Sequence, residues 1–318
     1  MSDSGELLRT TGDLTPLVPR RIGTTDIYVH PVALGGATFG WTLSAGETND
    51  ILDRFVALGG NLIDTADSYA SGVSEQVIGS WMRHRSNRAD VVVATKVGRS
   101  TEFSGLSSVN IRQAVDASLA RLQTDYIDVL YFHEPDPTIP LMESLAAAEV
   151  LITAGKVRTL GVSNFSPQQL LEARVASANG LPHIEAVATT YSLLHRDIGA
   201  EYRPVLEAQG VSLMPYFVLA HGYLGRHRSI KSADPSDIRL SRAAEEASRH
   251  GAHVLARLDD VAAETGVSVA ALSLAWVLHQ PSVTAAAVGV DSVADIDELM
   301  AAANVSLSVL HWTRLSDI

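Results

Sequence analysis

Cysteine is absent from all 318 residues. That excludes disulfides, cysteine-ligated zinc, iron–sulfur clusters and thiol nucleophiles, and it fits the reducing cytoplasm expected as the location of this chain. Positive charge is scarce as well: 24 Lys and Arg face 36 Asp and Glu, a formal net charge of −12. Neutralising nucleic-acid phosphates takes clustered cations, so no nucleic-acid partner is expected. No apolar run reaches the roughly 18 residues of a membrane span, so no membrane partner is expected either. The N-terminus has no basic segment leading into an apolar one and does not read as a secretory signal. Its Ser, Thr, Gly and Pro mark residues 1–19 as a flexible tail and 20–318 as the folded part. Two nucleotide-binding signatures are also missing. After the first strand-like run comes Gly35-Gly36-Ala37-Thr38-Phe39-Gly40 rather than G-x-G-x-x-G, and no Walker A sequence occurs.

Hydrophobic residues make up 46% of the chain and charged ones 19%, enough for a large core. Short β-branched or apolar runs alternate with helical periodicity. Eight candidate strands lie at 31–36, 61–64, 91–96, 126–132, 158–162, 184–188, 211–216 and 284–289. Runs without polar alternation suit a parallel sheet covered on both faces. Ser74 is placed to cap a helix over 75–83, and Ser166-Pro167 pairs an N-cap with proline at the first helical position. Ile111, Val115, Leu119 and Leu122 fall on one helical face. Gly59, Gly155, Gly180, Gly210 and Gly266 stand where left-handed helix ends are wanted. Seven strand starts are spaced by roughly one βα unit. The pattern predicts one eight-fold β/α (TIM) barrel in the α/β class, with no open doubly wound sheet.

The last spacing, from Val211 to Thr284, is much longer. It begins with an insertion at about 219–250 carrying Arg226, Arg228, Lys231, Arg239 and Arg242, followed by two helical segments split at Gly266. An insertion after the seventh strand of a barrel is placed to cover a cofactor; the plainer reading is a solvated surface loop.

In a barrel, chemistry collects at the C-terminal ends of the strands. There the second strand ends in Asp64 with Tyr69 in the following loop, the third in Lys96, the fourth is followed by His133, and the fifth by Ser163-Asn164. Singly, each has a structural explanation; together, on one face of one barrel, they form a cluster. Asp64 can keep a buried Lys96 charged, and an ammonium beside a phenol favours phenolate and draws the Tyr69 pKa down. Such a tyrosine can exchange a proton with a carbonyl or alcohol oxygen, and His133 can orient that oxygen. None of the four can supply a hydride, so a redox cofactor is required.

At these residues the chain resembles the aldo-keto reductases. The resemblance is carried by Asn61-Leu62-Ile63-Asp64-Thr65-Ala66-Asp67-Ser68-Tyr69 with Gly72, Ser74-Glu75 and Ile78-Gly79, and by Ala94-Thr95-Lys96. It continues through Asp125-Tyr126-Ile127-Asp128 to His133, Gly155-Lys156-Val157-Arg158-Thr159-Leu160-Gly161-Val162-Ser163-Asn164-Phe165, Tyr191-Ser192-Leu193-Leu194-His195-Arg196 and Ala275-Trp276, spanning residues 21–300. It implies a barrel that holds NAD(P)(H) at its strand ends and reduces or oxidises a small carbonyl or alcohol: an aldehyde, ketone or sugar. It implies Tyr69 as general acid/base with Asp64, Lys96 and His133, Ser163 and Asn164 holding the nicotinamide carboxamide, and Tyr216 stacked on its ring.

Four departures surround the cofactor. Ala188 replaces a Gln that the family uses on the carboxamide. Tyr216-Phe217-Val218-Leu219 replaces a Tyr-Ser-Pro-Leu run whose Ser contacts pyrophosphate. After Gly289 the chain reads Val290-Asp291-Ser292-Val293-Ala294-Asp295, with Asp291 and Asp295 where a 2′-phosphate wants positive charge. A carboxylate there accepts from a ribose hydroxyl, which points to NAD over NADP; the opposing reading makes Asp291 a helix cap and Arg239 or Arg242 a phosphate clamp. The substrate pocket is expected from Phe39, Trp41, Glu134, Tyr191 and Tyr223. The weakened cofactor anchors keep a second function open, a non-catalytic nicotinamide-sensing or regulatory subunit. A metal-dependent hydrolase would need an acidic ligand cluster beside His250 and His253; none is placed there, and no metal is expected. The oligomeric state stays open.

Overall fold

The computed structural model describes residues 18–234 and 237–317. The expected tail therefore lies almost wholly outside the described residues. A short antiparallel hairpin comes first, β1 (Arg20–Arg21) and β2 (Tyr28–Val29). Eight parallel strands follow: β3 (Val32–Gly35), β4 (Leu62–Asp64), β5 (Val92–Val97), β6 (Ile127–Phe132), β7 (Val157–Ser163), β8 (Ile184–Thr190), β9 (Ser212–Tyr216) and β10 (Ala286–Gly289). All eight overlap the strands predicted from the sequence. Their order is β10-β3-β4-β5-β6-β7-β8-β9, so each strand lies beside its predecessor and β10 returns to β3. This is a (β/α)8 barrel.

Seven of the eight junctions are parallel ladders, the one between β7 and β8 with a register shift at Leu160–Gly161. The eighth, between β9 and β10, is a thin seam. One bridge joins Leu213 and Val283, with the Leu213 amide donating to Ser282 O (2.8 Å) and the Thr284 amide to Leu213 O (2.9 Å). The Thr284 hydroxyl donates to Ser212 Oγ at 2.6 Å across the same gap.

The helices are α1 (Ala45–Ala57), α2 (Val73–Arg85), α3 (Ser108–Leu122), α4 (Leu141–Thr153), α5 (Pro167–Ala178) and α6 (Asp197–Gln209). Then come α7 (Ile238–Glu245), α8 (Arg249–Thr265), α9 (Val269–Leu278), α10 (Val293–Ala301) and α11 (Val309–Ser316). Serine starts most of them. Ser44, Ser166 and Ser292 form reciprocal capping boxes with Glu47, Gln169 and Asp295, each satisfying amides that have no partner within the helix. The five glycines read as helix ends all have positive φ. Ser74 is a correction: it caps nothing, because α2 begins one residue earlier, after Gly72. Its side chain is buried instead, donating to Gly36 O and meeting Thr65 Oγ1, each at 2.8 Å. No single helix among the described residues is long and apolar enough to cross a membrane.

The core has two layers. Inside the barrel sit Ala33, Leu62, Val92, Val129, Tyr131, Ala186 and Met214, joined by Ile22, Ile27 and Val29 of the hairpin. Outside, between strands and helices, lies the larger layer, including α9, which is buried at all ten positions. The hairpin stoppers the N-terminal end of the barrel. Gly23 N donates to Ser212 Oγ (2.7 Å), Thr24 N to Glu185 Oε2 (2.6 Å), and Asn61 Nδ2 to Tyr28 O (3.0 Å). The C-terminal end is left for the site.

Candidate active site

Three adjacent strands aim their polar residues into the barrel mouth. Asp64 ends β4, Lys96 lies one residue before the end of β5, and His133 follows β6. Parallel ladders hold them in step: Asp64 pairs with Ala94, and Lys96 with Tyr131. Lys96 is 2% exposed and its ammonium is fully used. It donates to Asp64 Oδ2 at 2.6 Å, to Thr65 O at 3.0 Å and to Tyr69 Oη at 3.4 Å. The Tyr69 and His133 rings meet edge-on, centroids 6.1 Å apart. All four sequence-predicted residues are thus brought together.

The electrostatics follow from burial and pairing. Burial works against the Lys96 charge, but Asp64 and Tyr69 outweigh it and carry its pKa up to about 12. Burial raises the Tyr69 phenol; Lys96 pulls it back and Asp64 pushes it up again. The net direction is upward, which corrects the expectation of a lowered phenol: Lys96 does act as foreseen, but desolvation is the larger effect. Burial, then Lys96 and Arg99, bring His133 down to about 3, so its ring is neutral. Its Nδ1 is sealed from solvent without a partner. The site holds a protonated phenol, a fixed ammonium and a neutral imidazole, which can donate a proton to an oxygen and orient it.

The turn that carries Tyr69 is unusual. Ala70, Ser71 and Gly72 have φ of 47°, 54° and 88°, three left-handed residues in succession. For non-glycine residues this stores strain that neighbours must hold. Behind the turn lie Asp67, Glu75 and Arg121. Glu75, fully buried, accepts from Thr95 Oγ1 (2.6 Å) and from Arg121 Nε (2.7 Å). Asp67 and Glu75 belong to the motif around Tyr69 without a role of their own there; a second carboxylate three residues after Asp64 was the signal for them in the sequence.

The cofactor candidates form two groups. Ser163 ends β7, and Asn164 follows it at φ 61°. Asn164 Nδ2 donates to His133 O (3.3 Å) and Ser163 Oγ (3.2 Å), and Tyr216 Oη donates to Asn164 Oδ1 (2.5 Å), so this group borders the Tyr69 cluster. Ala188, the departure from Gln, is buried at 4% exposure beside it and its carbonyl accepts from the Asn164 amide (3.0 Å). The second group lies after β10. Gly289 ends the strand, Ser292 caps α10, and Asp295 completes that capping box while accepting from the Asp291 amide at 2.8 Å. Arg239 Nη1 grips both Asp291 oxygens at 2.7 and 2.9 Å. Arg226, grouped at first only with the basic residues of the insertion, reaches both Asp291 and Asp295. The insertion therefore crosses from the end of β9 to the loop after β10. It is not a free surface loop, and Leu219, at its start, packs against the outer core.

The substrate candidates divide. Trp41 is 63% exposed, and Glu134 is exposed and pairs with Arg99 at 3.5 Å. Phe39, Tyr191 and Tyr223 are instead buried in the outer core, at 0, 5 and 3% exposure. Tyr191 packs its ring on Trp276 (centroids 5.7 Å apart) and lines a side cavity of 360 Å³ with residues of α6. Apolar bulk between strands and helices claims these three rings before the mouth can. Phe217, not singled out as a pocket residue, is 48% exposed and stacks on His221 with centroids 4.1 Å apart.

Comparison with known proteins matches residues 31–318 to the aldo/keto reductase family. Norsolorinic acid reductase B of Aspergillus parasiticus is 32% identical over 328 residues, covering 97% of this chain and 84% of that protein. An aryl-alcohol dehydrogenase of Pestalotiopsis microspora is 34% identical over 275 residues, 81% and 70% of the two chains. A probable voltage-gated potassium channel subunit beta of Arabidopsis thaliana is 32% identical over 301 residues, 90% and 91% of the two. A match over nearly the whole barrel, with relatives named as reductases and the strand-end cluster in one mouth, leads to one assignment: this chain belongs to the aldo/keto reductase family, whose members are NAD(P)-dependent oxidoreductases.

Proposed function

We propose that the chain reduces a small carbonyl compound, with Tyr69 as the proton donor. The observation that carries this is the Lys96 ammonium, 2.6 Å from Asp64 and 3.4 Å from Tyr69 Oη. A reduced nicotinamide dinucleotide supplies the hydride when bound. The residues fit such a group. Ser163 and Asn164 present amide and hydroxyl partners beside the cluster, Tyr216 offers a ring face, and the Arg226, Arg239, Asp291 and Asp295 group lies where the far ribose is expected. Tyr69 gives its proton to the carbonyl oxygen as negative charge builds there. Lys96, held charged by Asp64, stabilises the phenolate left behind. His133, neutral, orients the same oxygen. In reverse, the same groups take a proton from an alcohol. The raised Tyr69 phenol keeps its proton, which is the form that donation to a carbonyl oxygen needs.

Replacing Tyr69 by Phe tests this reading. General acid catalysis contributes roughly 10²–10⁴-fold, so turnover of aldehydes and ketones should fall by at least about 10²-fold while nicotinamide binding, read by fluorescence, stays. Activity near wild type in Tyr69→Phe defeats the assignment. A panel of aldehydes, ketones and sugars identifies the substrate. Aromatic carbonyls lead it, supported by exposed Trp41 and by relatives named for norsolorinic acid and aryl alcohols.

For the cofactor we read NAD over NADP. Arg226 and Arg239 are already held by Asp291 and Asp295, and Arg242 pairs with Glu245 at 2.9 Å, so a 2′-phosphate has to break such pairs and meet their carboxylates. NADH should bind more tightly than NADPH in parallel titrations, and the opposite order reverses this reading. The channel-subunit relative favours one second reading, a nicotinamide-sensing regulatory role. Under it, Tyr69→Phe leaves the effect on a partner unchanged.

A further inference from the structure

The Tyr69 turn contains a carboxyl that the proposed chemistry does not use. Asp67 lies two residues before Tyr69, is 2% exposed, and neither of its oxygens has a hydrogen-bond partner. Its amide donates to Lys96 O at 3.0 Å, which ties it to the backbone of the proposed proton-transfer pair. A buried charge without partners is costly, and Asp67 has no cation of its own. Arg121 of α3 faces it, but that guanidinium is committed to Glu75 of α2 at 2.7 Å and to Ser118 Oγ at 3.1 Å. Glu75 repels a second carboxylate. The amides of Ser68 and Gly98 turn toward Asp67 without reaching hydrogen-bond geometry. Of two buried carboxyls near one arginine, only Glu75 is bonded to it.

That arginine is also mechanically tied to the turn. A Cβ on Gly72 would stand 2.8 Å from Arg121 Cδ and Nε, so the guanidinium stem packs directly on the last of the three left-handed residues. Moving Arg121 removes the support under the strained segment that presents Tyr69.

We propose that Asp67 is a positioning residue that works as a neutral carboxyl, and that its ionisation draws Arg121 away from Glu75 and Gly72 and withdraws the Tyr69 hydroxyl from Lys96. This rests on the reading of Tyr69 as the proton donor. Burial first, then Glu75, push the Asp67 carboxyl up to about 7, against the Gly98 amide, Arg121 and the Ser68 amide. The folded value stands above the unfolded one, near 3.9. Between about pH 4 and 7 the folded chain keeps a proton that the unfolded chain has released, so this contribution to stability falls as pH rises and is level above 7. Turnover falls as pH rises through about 7. Neither neighbour produces that limb: Tyr69 titrates above its ordinary value and His133 down at about 3.

Asp67→Asn keeps the volume and removes the ionisation. The experiment records kcat, kcat/KM and melting temperature from pH 4 to 9 for wild type, Asp67→Asn and Tyr69→Phe. Wild-type kcat should drop by about tenfold per pH unit above the inflection, whereas Asp67→Asn should stay flat there and melt above wild type at pH 8. A wild-type profile without an inflection between about pH 6 and 8, or one that persists in Asp67→Asn, overturns the proposal. Melting curves need no turnover. If Tyr69→Phe remains active, the Tyr69 reading fails, while the melting difference at pH 8 still decides whether Asp67 is held neutral.

Discussion

At the level of single residues, the mouth shows how stability and chemistry draw on the same pair. Removing one partner of a buried ion pair costs about 3–5 kcal/mol, because the other charge is stranded. Asp64→Asn and Lys96→Met should each lower stability by about that amount, and the double variant by clearly less than the sum. Turnover should stay low in all three, since each lacks the charged ammonium or its holder; urea denaturation beside kinetics separates the two effects. His133 makes a second case. Its folded pKa, about 3, lies below the unfolded value. As pH falls from about 6.5 toward 3, the unfolded chain gains a proton that the folded chain refuses, so stability is lost. His133→Gln should flatten that part of the melting profile. The four clustered residues were readable from the sequence because strand ends converge by topology alone. The upward shift of Tyr69 was not, since it depends on how completely the turn is desolvated.

Among secondary-structure elements, α2 and α3 pack more closely than their composition suggests. A Cβ on Gly79 would meet Arg121 O at 2.4 Å and Leu122 O at 2.6 Å, both backbone atoms that cannot step aside. Gly79→Ala should cost roughly 1–3 kcal/mol as an overpacked contact, seen as a lower denaturation midpoint. It should also disturb activity, because α2 begins where the Tyr69 turn ends. Strands and most helices were legible since apolar runs and serine caps mark them locally. Three features were not. Ser74 looked like a cap, but its hydroxyl is taken by Gly36 O, a partner 38 residues away in sequence. The helix α7 lies in a segment that read as loop, because it is only eight residues long, buries Ala243 alone and carries Arg239, Arg242 and Glu245. The hairpin strands, two residues each, are too short to leave a pattern.

For the molecule as a whole, the barrel is uneven around its circumference. Seven ladders repeat several bonds each, while β9 and β10 meet through one bridge. Local opening follows the least-bonded path, so the amides of Leu213 and Thr284 should exchange with deuterium faster than those of β5, β6 and β7. Equal protection around the ring contradicts this. The insertion spans the same side of the molecule through Arg226, Arg239, Asp291 and Asp295. Its basic residues were visible in the sequence, as were Asp291 and Asp295; that they pair across some fifty to seventy positions was not.

The hairpin at the barrel floor has one more consequence. With Ile22, Ile27 and Val29 packed beneath an interior filled by Leu62, Tyr131 and Met214, the barrel is closed from its floor upward. Under the proposed chemistry, reactant and product therefore reach Tyr69 and Lys96 from the open rim and must take turns there. A compound can extend outward past that rim, but its carbonyl has to touch the polar cluster, so one hemmed in on every side by its own molecule is refused however well the rest fits.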